Sequence, residues 1–249
     1  MIILSAGMEK SGTGWYFNMT NDLLVSAGYQ DARVVRRKFF LHPILRDYNC
    51  NMGRPTLVKW TCLFIPHFFG NTFVVKTHDS PSSGVLRYLM FRKILKATYC
   101  YRDPRDVAVS AFEHGEKIRA SGQMHTFGKL DSIEASIYFV KTLLTIWKEW
   151  LQYSRVLGDH VLLVRYEDLL ADPMGELRRL ADFLEIEVPA EVLNKIIKTY
   201  QVDPSSGNLK GLHFNKGVVG RFREVMNREQ LDLCKEHFGT YLQWMGYEE

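Results

Sequence analysis

The stretch AGMEKSGTGW, residues 6–15, follows the apolar run MIILSA at 1–6 and leads into a helical pattern over 13–27. Strand, glycine-containing loop and helix in that order can form a phosphate-binding unit. Gly12 and Gly14 let the backbone approach an anion, and the first N–H groups of the helix point at it. Ser11 and Thr13 add hydroxyl donors, and Lys10 adds a point charge. A G-x-x-x-x-G-K-[ST] loop begun at Gly7 would carry its lysine at position 13. This chain has Thr13 there, and its lysine stands before the glycines. Taken alone, the stretch reads equally well as a tight turn joining strand to helix.

Three further apolar runs resemble the first: NTFVVKTH (71–78), ATYCYRD (97–103) and HVLLVRYED (160–168). Continuous apolar character marks strands covered on both faces. Helical patterns alternate with them over 104–117, 132–153 and 172–184, and Asp103 stands ready to cap a helix whose first residue is Pro104. This order predicts an α/β chain: a P-loop-like three-layer fold, doubly wound, with a central parallel sheet flanked by helices. A ligand would lie outside the carboxyl ends of the strands. No repeat, low-complexity tract or linker divides the 249 residues, so 1–249 reads as one domain. The aromatics of 36–70 (Phe39, Phe40, Trp60, Phe64, Phe68, Phe69) predict core in preference to an acceptor pocket, and 115–131 reads as a lid or a plain loop.

Composition narrows the classes. Thirty-two basic against 28 acidic residues give +4, which suits a small anionic ligand and falls short of a nucleic-acid-binding footprint. Arg33, Arg36, Arg37 and Lys38 read as a solvated edge, with an acidic acceptor as the alternative use. The four cysteines show neither a C-x-x-C pair nor metal-type spacing with histidine, so they read as reduced, packed thiols. The opening residues lack a signal-peptide pattern, and no apolar run approaches the roughly 20 residues of a membrane span. The expectation is a soluble, cytoplasmic protein without a metal site.

Taken together, five stretches carry a resemblance: KSGTGW at 10–15, KTH at 76–78, YRDPRDVAVS at 101–110, RYEDL at 165–169 and KGVVGRF at 216–222. In this combination the chain resembles the PAPS-dependent sulfotransferases, from residue 1 to about residue 223. PAPS is 3′-phosphoadenosine 5′-phosphosulfate, the sulfuryl donor. The resemblance implies that Lys10, Ser11, Gly12, Thr13, Gly14 and Trp15 hold the 5′-phosphosulfate, with Lys10 neutralising the bridging oxygen as the sulfuryl group leaves. It implies that Arg102 and Ser110 hold the 3′-phosphate, under a loop opened by Lys216 and Gly217. Tyr166 would approach the adenine, and Thr199 would contact the nucleotide. No metal is implied. His78 is the candidate general base, since an imidazole of pKa ~6.5 is largely neutral at pH 7. Lys76, two residues earlier on a strand, faces the same side and can stabilise charge on the transferring group.

Plainer readings stand beside these. Arg102 could pair with Asp103 or Asp106, Ser110 could be a helix-interior hydroxyl, and Tyr166 could be core. Asp168 reads as a cap of the next turn, His67 as core and His114 as helix decoration. The chain also departs from the family pattern. Asn215 stands where Arg is usual, with Arg221 or Arg223 as candidate replacements; Glu9 replaces Pro, and Gly14 lacks a hydroxyl. The implied reaction is sulfuryl transfer to a hydroxyl or amine of a small-molecule, saccharide or lipid acceptor, releasing 3′-phosphoadenosine 5′-phosphate (PAP). The alternatives are a P-loop small-molecule kinase and a non-catalytic PAPS- or PAP-binding module. No K-x-x-x-T-V-x-x-x-E pattern is present, so a dimer by that route is not expected.

Overall fold

The computed structural model describes residues 1–46, 48–81, 84–200 and 217–248. Strand β1 (Ile2–Gly7) is buried at every position, as a strand with helices on both faces must be. On one side it pairs with β2 (Phe73–Thr77), and on the other with β3 (Leu95–Tyr101). Strand β4 (Val161–Arg165) lies beyond β3. All pairings are parallel and the order is β2-β1-β3-β4, so the chain changes direction across the sheet at β1 and β3.

Between β1 and β2 lie helices α1 (Thr13–Ser26), α2 (Ala32–Lys38) and α3 (Leu57–Phe68). Helix α4 (Gly84–Phe91) joins β2 to β3, and α5 (Pro104–Ala120) and α6 (Ile133–Val156) join β3 to β4. After β4 come α7 (Tyr166–Ala171), α8 (Pro173–Leu184), α9 (Ala190–Thr199), α10 (Phe222–Val225) and α11 (Arg228–Met245). One layer is built on α1 with α8 and α9; the other has α5, α6 and α11 packed together. From α6, Trp147 and Trp150 are fully buried, and Trp150 stacks on Tyr99 of β3 at 5.4 Å.

Three sequence expectations need correction. The run 160–168 does not stay extended: Tyr166 opens α7, where Glu167 and Asp168 occupy the first turn at the positive end of the helix dipole. The polar stretch 115–131 is neither open loop nor free lid. Helix α5 continues to Ala120, and a short 3₁₀ turn at Thr126–Lys129 packs back on it. Gly115 permits the contact, since a Cβ there would meet the Phe127 carbonyl oxygen at 2.5 Å. The third correction concerns the aromatics of 36–70. Trp60 is buried, yet Phe40, Phe68 and Phe69 are 83%, 84% and 74% exposed. On α3 only Trp60, Leu63 and Pro66 are buried, so the helix covers the core with one face and leaves the other to solvent.

The β2 edge of the sheet is not left open. The segment after α2 hydrogen-bonds along it, with Lys76 N–H donating to the Cys50 carbonyl (3.1 Å) and Met52 N–H to the Lys76 carbonyl (2.8 Å). Of the four clustered basic residues, Arg33 donates to the Tyr48 carbonyl and Arg36 to the Leu45 carbonyl; Arg37 and Lys38 stay exposed. The cysteines are free thiols, three buried and Cys62 partly so. Among the described residues no helix is long and apolar enough to cross a membrane, and no His/Cys/Asp/Glu group could hold a metal.

Candidate active site

All four strands end at one edge of the sheet, and each hands its next residue to the same region. Met8 and the loop to Gly12 follow β1, His78 follows β2, Arg102 follows β3 and Tyr166 follows β4. Strand register fixes this convergence, with Ala6 opposite Thr77 and Gly7 opposite Cys100. The chain's change of direction at β1 and β3 makes this edge the expected ligand crevice of an open α/β sheet.

The loop is anchored to β3. Met8 N–H donates to the Cys100 carbonyl at 2.9 Å, and the Cys100 thiol donates to the Ser11 carbonyl at 3.1 Å. Gly12 caps α1 at φ 73° with no side-chain acceptor, leaving the first-turn N–H groups of α1 without intrahelical partners. A Cβ on Gly12 would sit 2.7 Å from the Tyr166 ring, so glycine is required for both conformation and space. Ser11 Oγ is buried and has no hydrogen-bond partner among the described residues. Thr13 and Trp15 are buried too, and the Trp15 ring meets Tyr166 edge-on at 6.1 Å.

Lys10 adopts φ 67°, a conformation that disfavours side chains other than glycine. Its ammonium lies 5.7 Å from the centre of the Phe127 ring, beneath the 3₁₀ turn. Burial, reinforced by Lys117 and Arg102 against Glu9 and Glu113, lowers its pKa to about 8. Burial thus opposes the charge of this half-buried cation. Beside it, burial raises the Glu9 carboxyl, opposed by His125, Lys76 and Lys10.

Arg102 and Ser110 are both buried near the start of α5. The ion pair that the sequence offered as a plainer reading exists: Arg102 Nη2 meets Asp106 at 3.1 Å. It does not exhaust the guanidinium. Nη2 also donates to the Val218 carbonyl (2.7 Å), the plane lies 4.6 Å from the Tyr166 ring, and Nε is buried without a partner among the described residues. Asp106 is the residue that sequence reasoning undervalued. Its carboxylate accepts from Gly220 N–H (2.7 Å) and Phe222 N–H (3.1 Å), tying the glycine loop down beside Arg102. Asp103 caps α5 by accepting from Arg105 N–H and also pairs with the Arg105 side chain.

His78 donates from Nδ1 to the Gly7 carbonyl at 2.7 Å, which leaves Nε2 as a free acceptor. Burial, with the charge of Lys76, pulls its pKa down to about 3. The imidazole is thus held neutral and in one tautomer. Lys76 is buried at the end of β2.

Other candidates stand apart. Thr199 ends α9, exposed, its hydroxyl turned back to the Lys195 carbonyl at 2.9 Å. Gly217 takes φ 65° at the start of the last described segment; Lys216 and Asn215 lie outside the described residues. Arg221 is engaged by Glu113, and Arg223 lies 4.6 Å from the Phe222 ring. His67 is half-buried against the Met1 amine, and His114 packs edge-on to Phe127 at 5.0 Å.

Comparisons with known proteins give the family and the fold. A family model described as the sulfotransferase domain matches residues 2–246. Cytosolic sulfotransferase 16 of Arabidopsis thaliana is 25% identical over 242 residues, which cover 86% of this chain and 62% of that protein. The chain therefore spans less than two thirds of that relative's length. Among solved structures, a mouse sulfotransferase complexed with PAP superposes with a TM-score of 0.63 at 18% identity, covering 97% of this chain and 84% of the other. A retinol dehydratase in complex with androsterone and PAP gives 0.61 at 18%, covering 97% and 80%. At that identity these two establish a shared fold. With the family model spanning nearly all of the chain, this protein belongs to the sulfotransferase family of transferase enzymes.

Proposed function

We propose that this chain moves a sulfuryl group from PAPS to a hydroxyl or amine of a small-molecule acceptor and releases PAP. The observation that carries the reading is a set of unsatisfied donors at one sheet edge. Ser11 Oγ and Arg102 Nε are buried without partners among the described residues, close to a lysine whose charge burial opposes. Such atoms occur elsewhere in the core as well, and it is the position of these two at the strand ends, beside Lys10, that fits a ligand's oxygens. Two separated anionic groups on one nucleotide would supply those oxygens, one at the loop of 10–15 and one at Arg102 and Ser110. The site offers cations and amides to that ligand, with Trp15 and Tyr166 beside it.

His78 Nε2 takes the acceptor proton while the new O–S or N–S bond forms and the bond to the bridging oxygen breaks. Lys10 and Lys76 meet the charge that develops on the leaving oxygen and the transferring group. The PAP named with related structures supports this donor. A kinase reading is disfavoured by Thr13, and a purely binding module by the presence of His78 and Lys76 together at the end of β2. Relatives named as cytosolic support a cytoplasmic location for the activity.

Thermal denaturation with ligands tests the donor site. PAP should raise the midpoint more than ATP or GTP with Mg²⁺, because a ligand bound only by the native state stabilises it. Arg102→Ala should weaken PAP more than it weakens the 3′-dephosphorylated nucleotide. A larger shift with ATP, or equal losses for the two adenine ligands, would overturn the assignment.

A further inference from the structure

From the face formed by α2 and α3 we infer that the protein docks on an anionic lipid surface. The outer side of α3 carries exposed apolar residues at helical spacing. Leu57, Ile65 and Phe68 lie on one stripe, with Val58 beside it. At its end the stripe joins a cluster of rings: Phe64 lies 6.2 Å from Phe68, and Phe69 lies 5.8 Å from Phe39 at the end of α2. Phe40, next in the chain, takes φ 53° and is 83% exposed. A bulky side chain in that backbone region is strained, and here the strain brings no burial in return.

Charge identifies the occupant. Of the eight Lys or Arg in residues 32–78, Arg37, Lys38, Arg46 and Arg54 are exposed, while Lys76 is buried and Arg33 pairs with Asp31; the same stretch has one acidic residue, Asp47, and the whole chain carries only +4. The rest of the molecule is therefore net acidic. Lys38 borders the rings directly, its Nζ 5.5 Å from the Phe39 ring centre, and Arg37 is exposed on the same short helix. Aromatic side chains rimmed by Lys and Arg suit the headgroup boundary of a membrane, the rings entering it and the cations meeting lipid phosphates and carboxylates. A second copy fits less well, because a two-fold pairing would set this basic face against itself. The face is independent of the donor site, and the inference does not rest on the proposed reaction.

Vesicle co-sedimentation decides the matter. Wild-type protein should pellet with phosphatidylcholine vesicles containing about one third phosphatidylserine, and about tenfold less with phosphatidylcholine alone. Raising salt from about 0.1 to 0.5 M should release much of it. A triple variant, Phe40→Ser, Phe68→Ser and Phe69→Ser, changes only exposed rings and should lose vesicle binding with its thermal midpoint retained. Arg37→Glu with Lys38→Glu should weaken binding by at least about fivefold for each charge removed. Three results would overturn the inference. They are no preference for anionic vesicles, equal binding by both variants and wild type, or a concentration-dependent dimer that the phenylalanine variant disperses while no vesicle binding occurs.

Discussion

Replacing Lys10 with methionine separates the cost of a buried ammonium from its service to a ligand. The group titrates at about 8 instead of 10.5, chiefly because burial removes water from it. A depressed folded pKa means that the unfolded chain holds the proton more tightly. The penalty on folding is therefore full below pH 8 and disappears as the pH rises through the ordinary lysine value. At about 1.36 kcal/mol per pKa unit the ceiling is about 3 kcal/mol, and residual solvent around a half-buried side chain lowers it to about 1–2. Methionine is similar in length and meets the same strain at φ 67°, so the backbone contribution cancels. The free Lys10→Met protein should then melt higher than wild type at neutral pH, by about 2–6 °C for a chain of this size. The gap should shrink to about a quarter by pH ~10, and stabilisation by PAP should be smaller in the variant. Scanning calorimetry at both pH values, with and without PAP, measures all three. A variant less stable than wild type at pH 7, or a gap unchanged at pH 10, would refute the reasoning.

Two further outcomes follow from the same geometry. Asp106→Asn leaves the Arg102 guanidinium buried without its counter-charge and removes one oxygen from the pair that receives the Gly220 and Phe222 amides. Breaking a buried pair from one side costs about 3–5 kcal/mol, so the melting midpoint and PAP affinity should fall together; an unchanged midpoint contradicts this role. His78, depressed from 6.5 to about 3, contributes stability that is fully present above pH 6.5 and lost as the pH falls toward 3. Urea midpoints should drop more steeply over that window in wild type than in His78→Gln, and parallel profiles would show that the ring is not held neutral.

Parts of this molecule could be read directly from its sequence. MIILSA and NTFVVKTH were legible as strands because a strand covered on both faces has no reason to alternate. The start of α5 was legible because Asp103 and Pro104 are a cap and a first-turn residue by their own chemistry. A similar signal lies at α11, where Asn227 and Gln230 form a reciprocal capping box. The α3 region misled for a physical reason. Aromatic density signals core only when another layer exists to cover it, and α3 buries one face while its outer side has no such cover among the described residues. The candidate site was legible as a set of residue types, while its binding together was not. Asp106 carries no sequence mark distinguishing an (i, i+4) pair with Arg102 from a tether for amides 114 and 116 residues away. The contact of Gly12 with Tyr166 likewise depends on β4 lying beyond β3, which no local pattern states.

The most direct measurement is transfer of label from sulfur-labelled PAPS to a panel of hydroxyl and amine acceptors, with release of PAP followed in parallel. Wild-type protein should form labelled product and PAP in equal amounts. A folded His78→Ala variant should lose about 10²–10⁴-fold in kcat while keeping its affinity for PAP, as removal of a general base requires. Tight PAP binding with no transfer to any acceptor would leave a binding module in place of an enzyme, and a folded His78→Ala that transfers sulfate at near wild-type rate would contradict the base assignment.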